Sequence, residues 1–248
     1  MTPAEFSDGF DQLVNSYSRF KSFDNRETFD SIEFNEYQKS LFLTKAQEEL
    51  IESLYSGEAL EGESYEETER LRRKLSFLNE EKSYSPMTDI NAFVPISNYS
   101  QFFDVDDDIL FITYEAVGVG EGTDACLSGK MIETVPVRQD WYHRQVNNPF
   151  RGISNKRALR RDKKDNIKEI VYPLIIDKYY VRYIRKPNPI VVADMPDGLT
   201  IGGESTITPC ELDDSVHQRI LEIAVLMGLR SKGIVPSQRT DTSGERRE

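Results

Sequence analysis

The chain has 248 residues, of which 38% are hydrophobic and 30% are charged, and its formal net charge at pH 7 is -12. This length suits one large domain, or one domain with a helical appendage, and the polar balance leaves much surface for water or partners. No apolar run approaches the ~18 residues of a membrane span, and the opening MTPAEFSDGF lacks the features of a secretory signal. We therefore expect no membrane partner and a cytosolic product in which Cys126 and Cys210 are reduced thiols.

The first third of the chain has helical periodicity. Thr2-Pro3-Ala4-Glu5 is a capping box with proline at the first helical position, and apolar residues follow it at helical spacing as far as Tyr17. Ser64-Tyr65-Glu66-Glu67 has the same cap pattern. Between them, NEYQKSLFLTKAQEELIESLYSG predicts a stronger helix with a buried face of Leu43, Ala46, Leu50, Ile51, Leu54 and Tyr55. We expect an N-terminal helical region over residues 1–85, in which each amphipathic helix needs something to pack on.

Past Pro86 the pattern becomes that of strands. The runs DILFITYEAVG, KMIETVPVR, EIVYPLIID, KYYVRYIRK and PIVVAD are rich in β-branched and aromatic residues. Asp177-Lys178 falls between two of these runs, which predicts a hairpin at that point. We expect a β-rich central region over residues 86–210.

The end of the chain returns to helical spacing. ELDDSVHQRILEIAVLMGLRSKG predicts a helix over residues 211–233, with Asp213 as its N-cap. The polar residues 234–248 predict a loose tail. Helices that enclose a β-rich middle make the predicted fold class α+β.

Few patterns in the chain point to catalysis or to metal binding. Asp104 to Asp108 and Glu115 have the spacing of a calcium loop, but an isoleucine stands where such a loop needs glycine, so an acidic turn before a strand is favoured. The glycines of Gly118–Gly122 lack the following helix of a phosphate-binding loop. The two histidines, His143 and His217, lie in no nucleophile or zinc motif, and a packing role is favoured for His217. The residues therefore favour a protein that is not an enzyme and has no cofactor.

Charge is distributed unevenly along the chain. Residues 1–137 carry 11 Lys and Arg against 28 Asp and Glu, a net charge of -17. Residues 138–186 carry 14 against 5, a net of +9, and residues 187–248 carry 6 against 10, a net of -4. Because acidic and basic regions share one molecule, copies of it can attract one another through complementary patches.

The strongest basic stretch is NNPFRGISNKRALRRDKK, residues 147–164, which has seven Lys and Arg against one Asp. If this segment is helical, three- or four-residue spacing places four cations on one face: Arg157, Arg160, Arg161 and Lys164. Three interpretations remain open, namely a solvated face, an acidic protein neighbour and nucleic-acid phosphates. The aromatic side chains that stack on single-stranded bases are not interleaved with these cations.

Several phrases of the chain, taken in order, carry a family resemblance. They are TPAEFSDGFDQLVNSYS, FNEYQKSLFLTKAQEELIESLYSG, YEETERLRRKLSFL, NNPFRGISNKRALR, YYVRYIRKPNPIVV and CELDDSVHQRILEIAVLMG. Together they resemble the ring-type neck and tail structural proteins of crAss-like bacteriophages, short-tailed phages that infect Bacteroidales. The resemblance covers roughly residues 2–79 and 138–230.

The resemblance implies a virion structural protein that assembles as a homo-oligomeric ring of about twelve copies, closed by rotation. Such a ring forms part of the head-to-tail connector or tail barrel, around the channel through which DNA leaves. Implied partners are further copies of the chain, the portal, and neighbouring neck and tail ring proteins, with transient non-specific contact with packaged DNA. The implied location is the neck or tail of the virion, and the host cytoplasm during assembly.

For such a ring we expect the basic segment to form an inter-subunit or inter-ring contact through Arg151, Lys156, Arg157, Arg160, Arg161 and Lys164. Two alternatives remain. The chain is then either a nucleic-acid-binding accessory protein that uses the same segment, or an internal capsid or cargo protein of a phage.

Overall fold

A computed structural model describes residues 1–21, 32–56, 69–88, 94–120, 126–196 and 198–234. The chain forms two compact units. The helical unit comprises Met1–Phe77 and Pro187–Glu248, and the sheet unit comprises Leu78–Lys186. The α+β class expected from the sequence is confirmed. The cap pattern at residues 64–67 and nearly all of the tail at 234–248 lie outside the described residues.

The helices are α1 (Pro3–Lys21), α2 (Glu36–Ser56), α3 (Glu69–Lys74), α4 (Tyr142–Val146) and α5 (Asp214–Ser231). The strands are β1 (Asn79–Tyr84), β2 (Ser100–Asp104), β3 (Ile109–Val119), β4 (Met131–Pro136), β5 (Arg157–Asp162), β6 (Ile167–Val171) and β7 (Ile176–Arg185).

Side chains cap the helices of the helical unit where the sequence indicates it. At the start of α1, the Thr2 N–H donates to the Glu5 carboxylate at 2.7 Å, and the Glu5 N–H donates to the Thr2 hydroxyl at 3.3 Å. The Asp213 carboxylate accepts from the Ser215 N–H at 2.9 Å and caps α5. The predicted N-terminal caps of α1 and α5 are therefore confirmed.

Two further caps were not predicted. Asn35 and Gln38 form a reciprocal pair at the start of α2, with N–H to side-chain oxygen distances of 2.8 and 3.2 Å. At the other end of α5, Gly233 has a φ of +75°, and the Ile234 N–H donates back to the Leu229 carbonyl oxygen at 3.0 Å. This is a Schellman arrangement, which satisfies carbonyl groups that the end of a helix leaves unpaired.

The core of the helical unit forms where α5 packs against α1 and α2. The apolar positions predicted on α2 are buried, apart from the half-buried Tyr55, and on α1 Tyr17 is 38% exposed. The buried side chains of this core include Phe6, Phe10, Val14, Phe34, Leu43, Leu50, Ile51, Val216, Ile220, Ala224 and Leu229.

The PIVVAD run is not a strand, although its composition predicts one. Polar side chains of α2 take up its backbone groups: the Ile190 N–H donates to the Thr44 hydroxyl at 3.1 Å, and the Val192 N–H donates to the Ser40 hydroxyl at 3.0 Å. Its apolar side chains are buried in the helical unit, and its one ladder contact with the described residues is the isolated bridge between Val191 and Thr208. The strand expectation is wrong because a helix face satisfies the hydrogen bonds that a neighbouring strand would otherwise make.

The sheet unit holds seven strands in the order β1-β7-β3-β4-β5-β6-β2. All neighbours are antiparallel except β4 and β5, which run parallel. The sheet curls around one apolar core, built from side chains that include Phe103, Val117, Ile132, Ala158, Ile170, Tyr179, Val181 and Tyr183. A second, smaller apolar cluster is separate from this core and joins Tyr142 of α4 to Leu159 and Val171.

The predicted hairpin at Asp177-Lys178 is wrong. Both residues lie inside β7, and the chain leaves β6 after Val171, so the connection comes earlier than expected. Strands β6 and β7 are also not neighbours in the sheet. The polar pair marks an exposed stretch of strand, and composition alone does not distinguish such a stretch from a turn.

Strand β1 begins at Asn79, inside the region expected to be helical. Its sequence, NEEKSY, has no apolar alternation, because it is an edge strand that charged pairs hold to β7. Glu81 lies opposite Arg182, and their side chains are 2.6 Å apart. The structural divisions after residues 77 and 186 thus precede the boundaries expected at 85 and 210.

Candidate functional site

The basic segment forms a loop and a strand. Residues 157–162 are β5, which pairs with β4 on one side and β6 on the other. Because successive side chains of a strand point to opposite faces, Arg160 and Arg161 lie on opposite faces of the sheet. The helical interpretation of this segment, with four cations on one face, is wrong.

Arg160 is neutralised inside the fold. Its side chain is largely buried, and its guanidinium lies 3.0 Å from the Glu115 carboxylate, which also accepts a hydrogen bond of 2.6 Å from the Tyr179 hydroxyl. A second carboxylate, that of Asp162, lies 3.4 Å from the guanidinium. Burial raises the pKa of Glu115, and the charge of Arg160 and the Tyr179 hydrogen bond oppose that rise.

Arg161 is neutralised on the other face. Its guanidinium lies 3.1 Å from the carboxylate of Glu169, which is fully buried, and stands 5.3 Å from the centre of the Tyr142 ring. The same carboxylate accepts from the Ile96 N–H at 2.8 Å and lies 3.0 Å from the Lys163 ammonium. Neither arginine of this pair is available to a partner, and both hold β5 in place.

The loop before β5 has a fixed backbone at its tip, residues Asn148–Gly152. The Asn148 side-chain oxygen accepts hydrogen bonds from the N–H groups of Phe150, at 2.9 Å, and Arg151, at 3.1 Å. The Gly152 N–H donates to the Asn148 carbonyl oxygen at 2.8 Å. This bonded turn holds out the Phe150 side chain, which is 90% exposed.

The remaining cations of the segment differ in exposure. Arg151, Lys156 and Lys164 are exposed. Arg157 is half-buried, and its guanidinium donates to the Phe150 carbonyl oxygen at 3.1 Å. Of the six residues expected to make contacts, three therefore present an exposed positive side chain to solvent, and a fourth, Arg157, braces the loop tip.

We expect replacement of Gly152 by alanine to distort the loop tip. A Cβ atom at this position would lie 2.7 Å from the carbonyl oxygens of Asn148 and Val146, closer than real Cβ contacts. Overpacking of this kind costs about 1–3 kcal/mol, so the free energy of unfolding should fall by that amount in a urea titration. Lys156→Ala, in the same loop, is the matched control and should leave it nearly unchanged, whereas equal stability of the two variants would contradict the close packing at Gly152.

The acidic residues considered as a possible calcium site form a turn and hydrogen bonds within the fold. Asp107 and Asp108 form a turn between β2 and β3, and the neighbouring Asp106 accepts from Lys82 at 2.9 Å and from the Tyr84 hydroxyl at 3.0 Å. Across the described ranges of the chain, no group of His, Cys, Asp and Glu side chains is placed to hold a metal ion. Of the glycine-rich stretch Gly118–Gly122, residues 121 and 122 lie outside those ranges.

His217 is packed into the helical unit. Its ring is 3% exposed and stands 5.4 Å from the Phe6 ring, and its Nε2 donates to the Leu212 carbonyl oxygen at 3.0 Å. Burial lowers the pKa of this imidazole. His143 lies in the short helix α4, beside Tyr142.

Two surface grooves of the helical unit were not foreseen from the sequence. The acidic groove lies between α1 and α5, has a volume of about 590 Å³, and is lined by Met1, Glu5, Asp8, Gly9, Gln12, Leu13, Gln218 and Leu221. The basic groove lies between α2 and α5, has a volume of about 500 Å³, and includes Leu54, Lys74, Arg219, Met227 and Arg230. The sequence did contain a signal for the acidic groove. The apolar stripe of α1 includes Leu13, and acidic residues of the same helix lie beside it.

Among the helices in the described parts of the chain, none combines the length and the apolar character that crossing a membrane requires.

Comparison with known proteins identifies the family. The chain matches the family described as phage tail ring protein 3/4 over residues 1–240. It is 43% identical to Ring protein 3 of Bacteroides phage crAss001 over 233 residues, which cover 94% of this chain and 96% of that protein. It is also 28% identical to Ring protein 4/5 of the same phage over 236 residues, which cover 91% of each chain. The resemblance to ring-type tail proteins is confirmed, and the chain belongs to the phage tail ring protein 3/4 family of crAss-like phages.

Proposed function

We propose that this virion structural protein forms a closed homo-oligomeric ring of about twelve copies, and that the ring is part of the head-to-tail connector or tail barrel that encloses the DNA ejection channel. The observation that carries the proposal is the 43% identity, over nearly the whole of both chains, to a protein named Ring protein 3. The role is structural rather than catalytic, with the portal and neighbouring ring proteins as further partners.

The charge of the two units supports a channel role. The helical unit carries 27 Asp and Glu against 15 Lys and Arg, a net of -12, whereas the sheet unit carries 16 of each and is neutral. The entire excess of negative charge therefore belongs to the helical unit. A channel wall formed by the helical unit repels DNA phosphates. DNA that passes the ring then makes only transient, non-specific contacts with it.

The contact role that we propose for the basic segment rests on its exposed side chains. Arg151, Lys156 and Lys164 are exposed, and we propose that they meet an acidic surface on a neighbouring subunit or ring. Arg160 and Arg161 support that surface from inside the sheet, through their ion pairs with buried carboxylates. Obligate ring interfaces bury much more than the roughly 1,600 Å² of an ordinary contact, so this segment is one part of a larger interface.

Electron microscopy and native mass spectrometry of the purified protein test the ring. We expect class averages with rotational symmetry and a single dominant mass that is a whole multiple of 28.6 kDa. Averaged images of virions should place the ring below the portal. A protein that stays monomeric at every concentration, and that lies inside the capsid of the virion, would instead support the cargo alternative.

A gel-shift titration with a labelled duplex separates the ring from a nucleic-acid-binding protein. At ~50 mM salt, where phosphate contacts are strong, we expect no retardation at low micromolar protein, since Arg160 and Arg161 are already paired. Tight, salt-dependent retardation would favour the accessory-protein alternative.

A further inference from the structure

We propose that the tip of the basic loop is a plug, Phe150 and Arg151, that inserts into the acidic groove between α1 and α5 of a second copy of this chain. The inference rests on the proposed ring and deepens it, because it names the two surfaces that join adjacent subunits.

The plug has the properties of an interface anchor. Phe150 is 90% exposed, and aromatic side chains are enriched in protein–protein interfaces relative to the rest of the surface. Its backbone is fixed on both sides by Asn148 and by the Arg157 guanidinium. Since the loop is already ordered, docking costs little conformational entropy.

The acidic groove matches the plug in chemistry. Its floor includes Gly9, the half-buried Leu13 and Leu221, which suit an aromatic ring. Glu5 and Asp8 line the same groove and are exposed. Met1 also lines it, and its terminal ammonium is paired with the Asp214 carboxylate at 3.1 Å. An apolar floor beside two carboxylates complements a phenyl ring that is followed in sequence by a guanidinium.

The basic groove of the same unit is a poorer match. Its cations, Lys74, Arg219 and Arg230, outnumber its one carboxylate, that of Glu49. Docking there would bring Arg151 and Lys156 against like charges, which costs affinity. Charge thus selects one of two grooves of similar volume.

The arrangement has a direct consequence for symmetry. The plug belongs to the sheet unit and the groove to the helical unit, so the two contact surfaces differ. Contacts between unlike surfaces are head to tail, and they close into a ring when the rotation between neighbours divides a full turn. Each subunit in the closed ring then inserts its plug into one neighbour and receives the plug of the other neighbour in its groove.

Truncation of the plug is the first test. We expect Phe150→Ala to raise the protein concentration for half-maximal ring assembly by at least about tenfold, as loss of a central aromatic anchor does, when assembly is followed by mass photometry. The matched control is Ile175→Ala, which removes an apolar side chain that is 65% exposed elsewhere on the sheet unit. Both variants should keep the thermal midpoint of the wild-type monomer, because neither side chain is buried.

A charge exchange is the second test. Arg151→Glu and Asp8→Arg, each alone, should weaken assembly, and the two changes combined in one chain should restore most of it. Asp8 is preferred to Glu5 because Glu5 also caps α1. A double variant that assembles no better than either single variant overturns the pairing.

The outcomes separate this inference from the proposed function. Wild-type protein that forms no rings contradicts the ring, and the plug with it. Wild-type rings together with equal assembly of Phe150→Ala and Ile175→Ala contradict only the plug and leave the ring in place.

Discussion

Replacement of Arg161 by glutamate should unfold the sheet unit. The guanidinium is the partner of Glu169, which is fully buried between β5 and the segment that contains Ile96. Removing one member of a buried ion pair costs about 3–5 kcal/mol, and a reversed charge adds repulsion between two carboxylates. Since domains have about 5–15 kcal/mol of stability in total, we expect loss of the cooperative thermal transition or insoluble protein.

Lys164→Glu is the matched control for this change. It makes the same charge reversal three residues away, at an exposed side chain, and it should leave the thermal midpoint within a degree or two of the wild-type value. Arg161→Met is a milder variant, because Lys163 still lies 3.0 Å from the Glu169 carboxylate. A stable, soluble Arg161→Glu protein would contradict the structural role of this pair.

Buried and exposed cations of the basic segment should respond differently to charge reversal, so only exposed ones can test ring assembly. Reversal of Arg157, Arg160 and Arg161 together, three of the residues expected from the sequence to form contacts, should cause unfolding rather than a specific loss of subunit contacts. Variants at Arg151 and Asp8 alter exposed side chains only, so their effects on rings are interpretable.

Truncation of Phe10 to alanine should produce the largest loss of stability in the helical unit. The ring is fully buried, lies 5.3 Å from the Phe34 ring in an edge-on arrangement, and comes close to Gly228 of α5. Removing a buried phenylalanine side chain costs about 3–5 kcal/mol, since the cavity collapses only in part. We expect the urea midpoint to fall accordingly.

Tyr17→Ala on the same helix serves as the comparison. That side chain is 38% exposed, so its truncation should cost less than about 1 kcal/mol. Phe10→Ala should also weaken ring assembly, because the acidic groove depends on the packing of α1 against α5. If both variants had the same urea midpoint, Phe10 would not be the anchor between these helices.

Much of the fold could be predicted from local patterns. Caps and helical spacing identified α1 and α5, and helical spacing alone identified α2, because each of these helices carries an apolar stripe. Strand β1 could not be identified, since an edge strand of charged residues has no apolar alternation. The PIVVAD run was misassigned because its hydrogen-bond partners, Ser40 and Thr44, are distant in sequence.

The candidate site shows the same limit. The basic segment was conspicuous, yet which of its cations reach solvent depends on Glu115 and Glu169, which only the folded sheet brings beside Arg160 and Arg161. The prominence of Phe150 likewise follows from hydrogen bonds across a turn rather than from composition. The sequence shows which side chains are charged or aromatic, but only the folded structure shows which of them reach solvent.

The discontinuity of the helical unit has a consequence for timing on the ribosome. Helices α1 and α2 emerge early, but α5, against which both pack, is translated only after the whole sheet unit. At bacterial elongation rates the early helices wait on the order of ten seconds for that partner. In the proposed ring, the acidic groove that receives the plug is therefore complete only after α5 has been translated and has packed against α1.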